Sequence, residues 1–574
     1  MNPIGYSQDV MRIPLAESSF ESLRDADLIY VDKTDLIASL ASFREPVFLS
    51  RPRRFGKSLL VSTLESLFAH GLSYFQDLKL VSLWHETATY PVLHIDFSLT
   101  GTDAESFNEK LVTCLRIACQ SQGLSYDENA TSADMLLLSI TSRCPPKSLI
   151  LLIDEYDFPL ISNLQDAKSF AMIEKTLKSF YAQVKGMGNV FRFVFITGTA
   201  RFSHTSIFSE FNTLHDISYS DVYAALLGFT EEELESYFGP QLEDFAKRTR
   251  QSKEGVRERL RAYYDGYAFG PRENQRVYNP WSLMSALKHG TEREPYRPWW
   301  SNTGGFSALL HNWLKTDKHL VQACMALDKA RSGESVASVT LEDLTAVAEL
   351  GELEFPVTMF IAGYLTFKGK LGKQYLLNYP NLEVREYIAD LLLKMLSNRL
   401  SLADDSADLT TEARKFKVQE ALVSGEPLKV RAVLSSCLAL YPYAERSALT
   451  TEAGVCALLA MALKSQGLNI VYAEHEFIGG RTDLEIPIVK SLMYPEGVTV
   501  VLEVKVARYS DAKQASDRIG RALEEAKEQI VTRRYARVAP PGSRALCYAV
   551  CVDFNTRDVE AVSYVKEEAL SAGA

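Results

Sequence analysis

The 574-residue chain is predicted to be an α/β protein with two separate sheets joined through a helical middle region. Three observations predict this. Four apolar runs within residues 1–200 alternate with segments of helical period, the pattern of a parallel sheet covered by helices on both faces. Polar and charged residues stand where those runs end, at the sheet edge where ligands bind in such folds. A second set of alternating strands, interrupted by a long charged helix, fills the C-terminal part. At roughly 100–200 residues per domain, three or four domains are expected. With 47% apolar and 24% charged residues the chain reads as soluble and globular, which excludes a disordered chain, a collagen-like repeat and a coiled-coil rod.

The strand runs are Val47–Ser50, Pro91–Ser98, Leu149–Asp154 and Phe191–Gly198, with helical periods such as Leu59–His70 and Phe170–Lys185 between them. Residues 231–300 read as helical and aromatic-rich. Residues 300–400 are mainly helical and close on two short strands around Gly363–Phe367 and Gln374–Leu377, which suggests a winged-helix-like unit. Residues 401–412 are polar and turn-rich, the composition of a linker. A helix at 451–466 precedes strands at 469–477, 481–489 and 499–508, a helix at 511–536 and a strand pair at 544–553 and 558–565. The division that follows is 1–230, 231–400, 401–440 and 441–574.

The first candidate site is Ser50-Arg-Pro-Arg-Arg-Phe-Gly-Lys-Ser58, between the first strand and a helix. Gly56, Lys57 and Ser58 match the end of a P-loop: a glycine for close backbone approach, a lysine for the β/γ-phosphates, a hydroxyl for Mg²⁺. Arg51 stands where the first glycine of the usual pattern would be, and Gly-Lys-Ser alone reads equally as a basic turn. Two later elements support the nucleotide reading. Leu149–Asp154 ends in Asp154 and Glu155, placed to hold Mg²⁺ through water and to polarise an attacking water. The fourth strand ends in Thr197-Gly-Thr-Ala-Arg201, where Thr197 faces a γ-phosphate and Arg201 neutralises developing charge, within one subunit or across two.

With Tyr30-Val-Asp-Lys-Thr34, Leu152-Ile-Asp-Glu-Tyr-Asp157, Ile196–Ser203, Tyr264-Asp-Gly-Tyr267 and Tyr278-Asn-Pro-Trp281, this loop resembles the AAA-ATPase-like family over most of residues 8–400. The resemblance implies an AAA-like P-loop core at 1–230, a helical lid and winged-helix-like region at 231–400, and ATP with Mg²⁺ as ligands. The family itself carries arginine at the first P-loop position. Arg53 and Arg54 become phosphate-facing candidates, with plain surface charge as the alternative.

The second candidate site joins Asp483 on one strand to Glu503 and Lys505 on the next. With a strand period of two, Glu503 and Lys505 share a face of the apolar run Thr499–Val506. Charges on such a strand are costly unless they meet partners, and a metal is a natural one. Asp483 and Glu503 are the metal-ligand candidates, for Mg²⁺ or Mn²⁺ beside a scissile phosphate, with Lys505 at the attacking water and Glu452 on the preceding helix. This set resembles the PD-(D/E)XK phosphodiesterase superfamily over 445–565, a domain commonly fused to this ATPase-like family. It implies a restriction-endonuclease-like α/β domain and adds Gln529 as a helical site residue, with Tyr535 at the superfamily's spacing. Thr482 replaces the usual proline.

The formal net charge is −11, of which residues 445–574 carry −2 and the rest −9. That argues against broad polyanion binding, while Lys513, Arg518, Arg521, Lys527, Arg533, Arg534 and Arg537 cluster on one helix and its end. The eight cysteines include no C-x-x-C pair, which points to reduced thiols and a cytoplasmic setting. Residues 1–13 lack a signal-peptide pattern, and no apolar run approaches the roughly 20 residues of a membrane span. The functions that fit are an ATP-regulated, metal-dependent nuclease acting on DNA or RNA, and a signalling NTPase switch whose second domain only binds nucleic acid or a partner. An ATPase that remodels nucleic acid or protein is a third. A homo-oligomer is open.

Overall fold

The computed structural model describes residues 12–15, 17–163, 166–199, 214–272, 275–300, 310, 314, 317–331, 333–345, 354–389, 391–392, 411–438, 451–465, 468, 471–477, 480–488, 497–535, 539, 543–556 and 558–565. The chain divides into two compact units. One comprises Met1–Thr303 and Ala337–Arg385, the other Gly304–Val336 and Glu386–Ala574.

The first unit is built on five parallel strands in the order β2-β3-β4-β1-β5: β1 Val47–Ser50, β2 Val92–Asp96, β3 Leu149–Asp154, β4 Phe191–Gly198 and β5 His215–Asp216. Every residue of β3 and β4 is buried, as the unbroken apolar runs require of strands covered on both sides. The strand β5, only two residues long, carries too little pattern to be read from sequence. Crossovers are made by α1 (Lys57–His70), α2 (Phe107–Ser121) with α3 (Ala133–Thr141), and α4 (Ala167–Gly186). The start of α4 is fixed by Asp166, whose carboxylate accepts from the Lys168 and Ser169 N–H groups.

Beyond the sheet, α5 (Glu231–Thr249), α6 (Lys253–Tyr264) and α7 (Pro280–His289) enclose a second core. Phe238, Phe245, Leu260, Tyr264 and Tyr278 are buried there against Ile29 and Val31. Thr230 and Glu233 form a capping box at the start of α5, and Pro240 sits beside a kink at Phe238. A small antiparallel sheet, β6 (Ala337–Val339), β7 (Thr366–Leu371) and β8 (Gln374–Asn378), runs in the order β6-β8-β7.

The second unit carries helices α8 (Asp317–Arg331), α9 (Thr411–Val423), α10 (Pro427–Leu438) and α11 (Glu452–Ser465). Helix formation at Thr411 takes in the last residues of the stretch expected to be a linker. Its sheet holds β9 Tyr472–Phe477, β10 Gly480–Ile488, β11 Val498–Ala507, β12 Arg544–Asp553 and β13 Val559–Val565 in the order β13-β12-β11-β10-β9. Only β11 and β12 pair in parallel, and the crossover between them is α12 (Ala515–Thr532). Ala526 and Ile530 of α12 bury against Val501, Cys547 and Ala549. No described helix of either unit is long and apolar enough to cross a membrane.

Candidate functional site

The ladder between β1 and β4 runs one step past the strand, where Arg51 N–H donates to the Gly198 carbonyl at 3.2 Å. The Arg51 side chain then turns inward. Its Nη1 donates to the carbonyls of Ser50 (2.8 Å) and Ser218 (2.7 Å), its Nη2 to that of Tyr223 (3.1 Å), and the guanidinium lies 4.1 Å over the Phe269 ring. Burial pulls its pKa down to about 9, which still leaves it charged at neutral pH. The residue that breaks the usual P-loop pattern is therefore a buried strut under the loop. Arg54 (φ 68°) and Gly56 (φ 94°) coil the rest of the loop through left-handed conformations. A Cβ on Gly56 would meet only Leu227, at 4.0 Å, so the position needs glycine for its φ and not for space. Gly56 is the N-cap of α1, whose first N–H groups have no partner within the helix and face the loop.

Lys57 is buried, and its Nζ donates to the carbonyls of Arg51 (3.0 Å) and Pro52 (3.2 Å). Burial pulls the ammonium pKa down, while Asp154, Glu155 and Asp157 push it back up. Across the sheet edge stands Asp154, the buried last residue of β3. Burial raises the Asp154 carboxyl against the opposing pull of Ser58 and Lys57, and Asp96, its register partner on β2, raises it further. Glu155 stands next, at φ 47°, with its N–H on Asp154 Oδ1 at 2.9 Å. Its carboxyl is likewise raised, by burial first. Thr197, buried at the end of β4, has a hydroxyl without a hydrogen-bond partner among the described residues. A hydroxyl and an ammonium that both favour the ionised form of a buried carboxylate, with an orphaned hydroxyl on the neighbouring strand, suit a phosphate with Mg²⁺. Ser58 and Asp154 are the residues that would hold the ion. Arg201 lies outside the described residues.

Gly56, Lys57, Ser58, Arg53, Arg54 and Glu155 all line one cavity of about 360 Å³, within the size range of small-molecule sites. Its other wall is apolar, made by Ile29, Val31, Leu226, Leu227, Phe229 and Met284. Lys33 also lines it, ion-paired to Glu233 at 2.6 Å. The loop is legible in the sequence and this wall is not. Leu226, Leu227 and Phe229 follow β5 in irregular chain that has no periodicity to read.

In the second unit, the pairing of Leu484 with Leu502 brings Asp483 beside Glu503. Lys505 Nζ lies 3.2 Å from Glu503 Oε1 and 3.2 Å from Glu452 Oε2 at the start of α11. Glu503 is fully buried and its Oε2 accepts from Tyr535 Oη at 2.7 Å. Gln529 and Arg533 lie near enough to the Tyr535 hydroxyl to work against the rise that burial and Glu503 impose on it. Asp483 Oδ2 accepts from the Val504 N–H at 2.8 Å. Burial, then the neighbouring Asp483, pushes the Glu503 carboxyl up to about 7, and burial raises Asp483 as well. Burial pulls Lys505 down, but Glu503, Glu452 and Asp483 together hold it above its ordinary value. Glu452, Asp483, Glu503, Lys505 and Gln529 thus form one connected cluster. Among the described residues no three His, Cys, Asp or Glu side chains are gathered as a complete ligand set, so the candidate is a pair of carboxylates completed by other oxygens.

A parallel sheet with a glycine-lysine-serine loop after β1 and a buried acid ending β3 is the framework of a P-loop-like α/β domain. Residues 14–208 match the family model described as "AAA-ATPase_like: Predicted AAA-ATPase". The chain is also 31% identical over 407 residues to the "Uncharacterized protein in vnfD 5'region" of Azotobacter chroococcum mcd 1, covering 69% of this chain and 73% of that protein. The chain belongs to this AAA-ATPase-like family, which implies nucleotide binding. No solved structure matches it. The family model ends before the second unit and lends no support to a nuclease there.

Proposed function

We propose that the chain is an ATP-binding protein whose second unit hydrolyses phosphodiester bonds of DNA or RNA under control of the nucleotide site. One observation supports the nuclease part above others: Lys505 reaches both Glu503 and Glu452 at 3.2 Å, Asp483 on the neighbouring strand is close enough to Glu503 to raise its carboxyl, and both strand acids are raised first by burial. A buried and a half-buried carboxylate that repel each other are expensive to ionise without a cation. Asp483 and Glu503 would hold a divalent metal, which when bound supplies a Lewis acid at the phosphoryl oxygen. The Tyr535 hydroxyl fixes one Glu503 oxygen and leaves the other on the cluster side. The Lys505 ammonium offsets negative charge building on the phosphate. In the first unit, Lys57 and the α1 N-terminus bind phosphate, Ser58 and Asp154 would hold Mg²⁺, and Glu155 is placed to orient a water.

The test is a cleavage panel on single- and double-stranded DNA and RNA with Mg²⁺ or Mn²⁺, with and without ATP. Wild type is expected to cut at least one substrate, and Asp483→Ala and Lys505→Ala to lose that activity. If both variants cut like wild type, the site assignment is wrong. If wild type cuts nothing while Lys57→Ala abolishes ATP binding, the chain is an NTPase switch with a binding module.

A further inference from the structure

The phosphate loop carries three arginines, and the structure gives them different surroundings. Arg51 spends its donors on the carbonyls of Ser50, Ser218 and Tyr223. Arg53 is half-buried, and its own carbonyl accepts from the Trp300 indole N–H at 3.0 Å. Arg54 is exposed, and its guanidinium lies 4.4 Å over the ring of Trp281. Among the described residues no carboxylate or carbonyl accepts from it. A guanidinium stacked on an indole face keeps its N–H groups pointing outward in its own plane, free to bind an anion while the stack persists.

Both partners line the cavity that Lys57 and Ser58 line. The backbone that carries the ring is fixed: Pro280 opens α7, and the buried Asn279 caps that helix by accepting from the Ser282 N–H at 3.2 Å, on either side of Trp281. Arg54 adopts φ 68°, a conformation a non-glycine residue keeps only where its surroundings enforce it.

We infer that Trp281 is a positioning residue for nucleoside triphosphate: it presents the Arg54 guanidinium edge-on to the terminal phosphate, so discrimination of triphosphate from diphosphate depends on α7. The inference rests on the reading of this cavity as the nucleotide site and goes beyond it. It assigns the ring to the phosphate end, through Arg54, and not to the base.

The experiment is calorimetric titration of the full chain with ATP, ADP and AMP in Mg²⁺, for wild type, Arg54→Ala, Trp281→Ala, Trp281→Leu, Trp281→Phe and the double variant Arg54→Ala with Trp281→Leu. The preference for ATP over ADP is expected to fall about tenfold in Arg54→Ala and in Trp281→Leu, and by less than about threefold in Trp281→Phe, which keeps a ring. The double variant is expected to match Arg54→Ala alone, because the two side chains act as one unit. Trp281→Leu keeps apolar volume, so it reports on the ring even where Trp281→Ala does not fold. The inference is overturned if the Trp281 variants weaken ATP, ADP and AMP by one common factor, the mark of a ring stacked on the base. Additive effects in the double variant, or an unchanged ATP preference in Trp281→Leu, overturn it too. ATP binding by Lys57→Ala equal to wild type overturns the nucleotide reading itself, and this inference with it.

Discussion

The Lys57 ammonium folds back onto its own loop, 3.0 Å from the carbonyl of Arg51. A phosphate entering the loop competes with two neutral carbonyls for that cation, and a charged acceptor forms the stronger hydrogen bond. Lys57→Ala is expected to weaken ATP binding at least tenfold, since a bond to a charged group contributes about 1.5–3 kcal/mol. Titration with ATP at constant Mg²⁺ measures it, and circular dichroism checks that the fold persists.

Restoring the usual P-loop residue at the loop's first position should harm this protein. Arg51 ties β1 to the chain at Ser218 and Tyr223, and Arg51→Gly takes the side-chain donor from both carbonyls, leaving that of Tyr223 only the Leu226 N–H, beside the space the side chain filled. The expected loss is roughly 3 kcal/mol or more of stability. Thermal melting of the full chain shows it as a lowered midpoint, and an unchanged midpoint would mean the strut carries no load.

Much of this arrangement was legible in the sequence for a physical reason. Buried parallel strands must be apolar along their whole length, so β1, β3 and β4 stand out at once, and Gly56, Lys57, Ser58 and Asp154 sit at their ends. Strand period alone put Glu503 and Lys505 on one face, and the structure joins them through a 3.2 Å contact. What sequence left unread depends on chain with no period. The role of Arg51 needs Ser218 and Tyr223, which are more than 160 residues away. The Arg54–Trp281 stack joins a turn to the first residues of a distant helix, and local pattern says nothing of such a pairing. Tyr535 was visible as a spacing, but its hydrogen bond to Glu503 is a fact of packing.

Gly198, at the end of β4, has no room for a side chain. A Cβ there would stand 2.6 Å from Asp157 Oδ1 and 2.6 Å from the Tyr156 ring, with Asp157 already accepting from the Thr199 N–H at 2.8 Å. Gly198→Ala must push the acidic turn away from β4. It is expected to cost roughly 1–3 kcal/mol in chemical denaturation and to weaken ATP binding through displaced Asp154 and Glu155. Wild-type stability and affinity in this variant would show that the turn yields freely.

Asp265, in the Tyr264–Tyr267 motif, gives a pH dependence with a definite sign. Burial raises its carboxyl from 3.8 to about 6, with the Gly266 N–H working against the shift. The folded chain therefore holds this proton more tightly than the unfolded chain. The associated stability is fully present below pH 3.8 and is lost as pH rises through about 6. Asp265→Asn cannot ionise and should escape that loss, exceeding wild type above pH 6 by roughly 3 kcal/mol. Urea denaturation of both proteins near pH 4 and near neutrality reads the difference. A gap that does not widen with pH would locate the proton elsewhere.

Tyr535 stands behind Glu503 in the second unit. Its hydroxyl donates to Glu503 Oε2 at 2.7 Å, with Gln529 and Arg533 also acting on that hydroxyl. The bond favours the ionised form of a carboxyl that burial has pushed up to about 7. Tyr535→Phe removes the donor and keeps the ring, so Glu503 should ionise at still higher pH and turn more freely. Because an orienting partner behind a metal ligand is typically worth 10–100-fold in affinity, Mn²⁺ binding is expected to weaken by about tenfold. The midpoint of its pH dependence should move upward, a change that simple loosening of the fold would not produce. With the ionisation of Glu503 followed in metal-free protein, Asp483→Asn, which removes the neighbouring charge, should move the midpoint down and Tyr535→Phe should move it up. Asp483 is the second cause raising Glu503, and the Tyr535 bond opposes that rise. Opposite shifts in the two variants would establish that Glu503 is the titrating group, whereas a common shift would assign the midpoint to another residue.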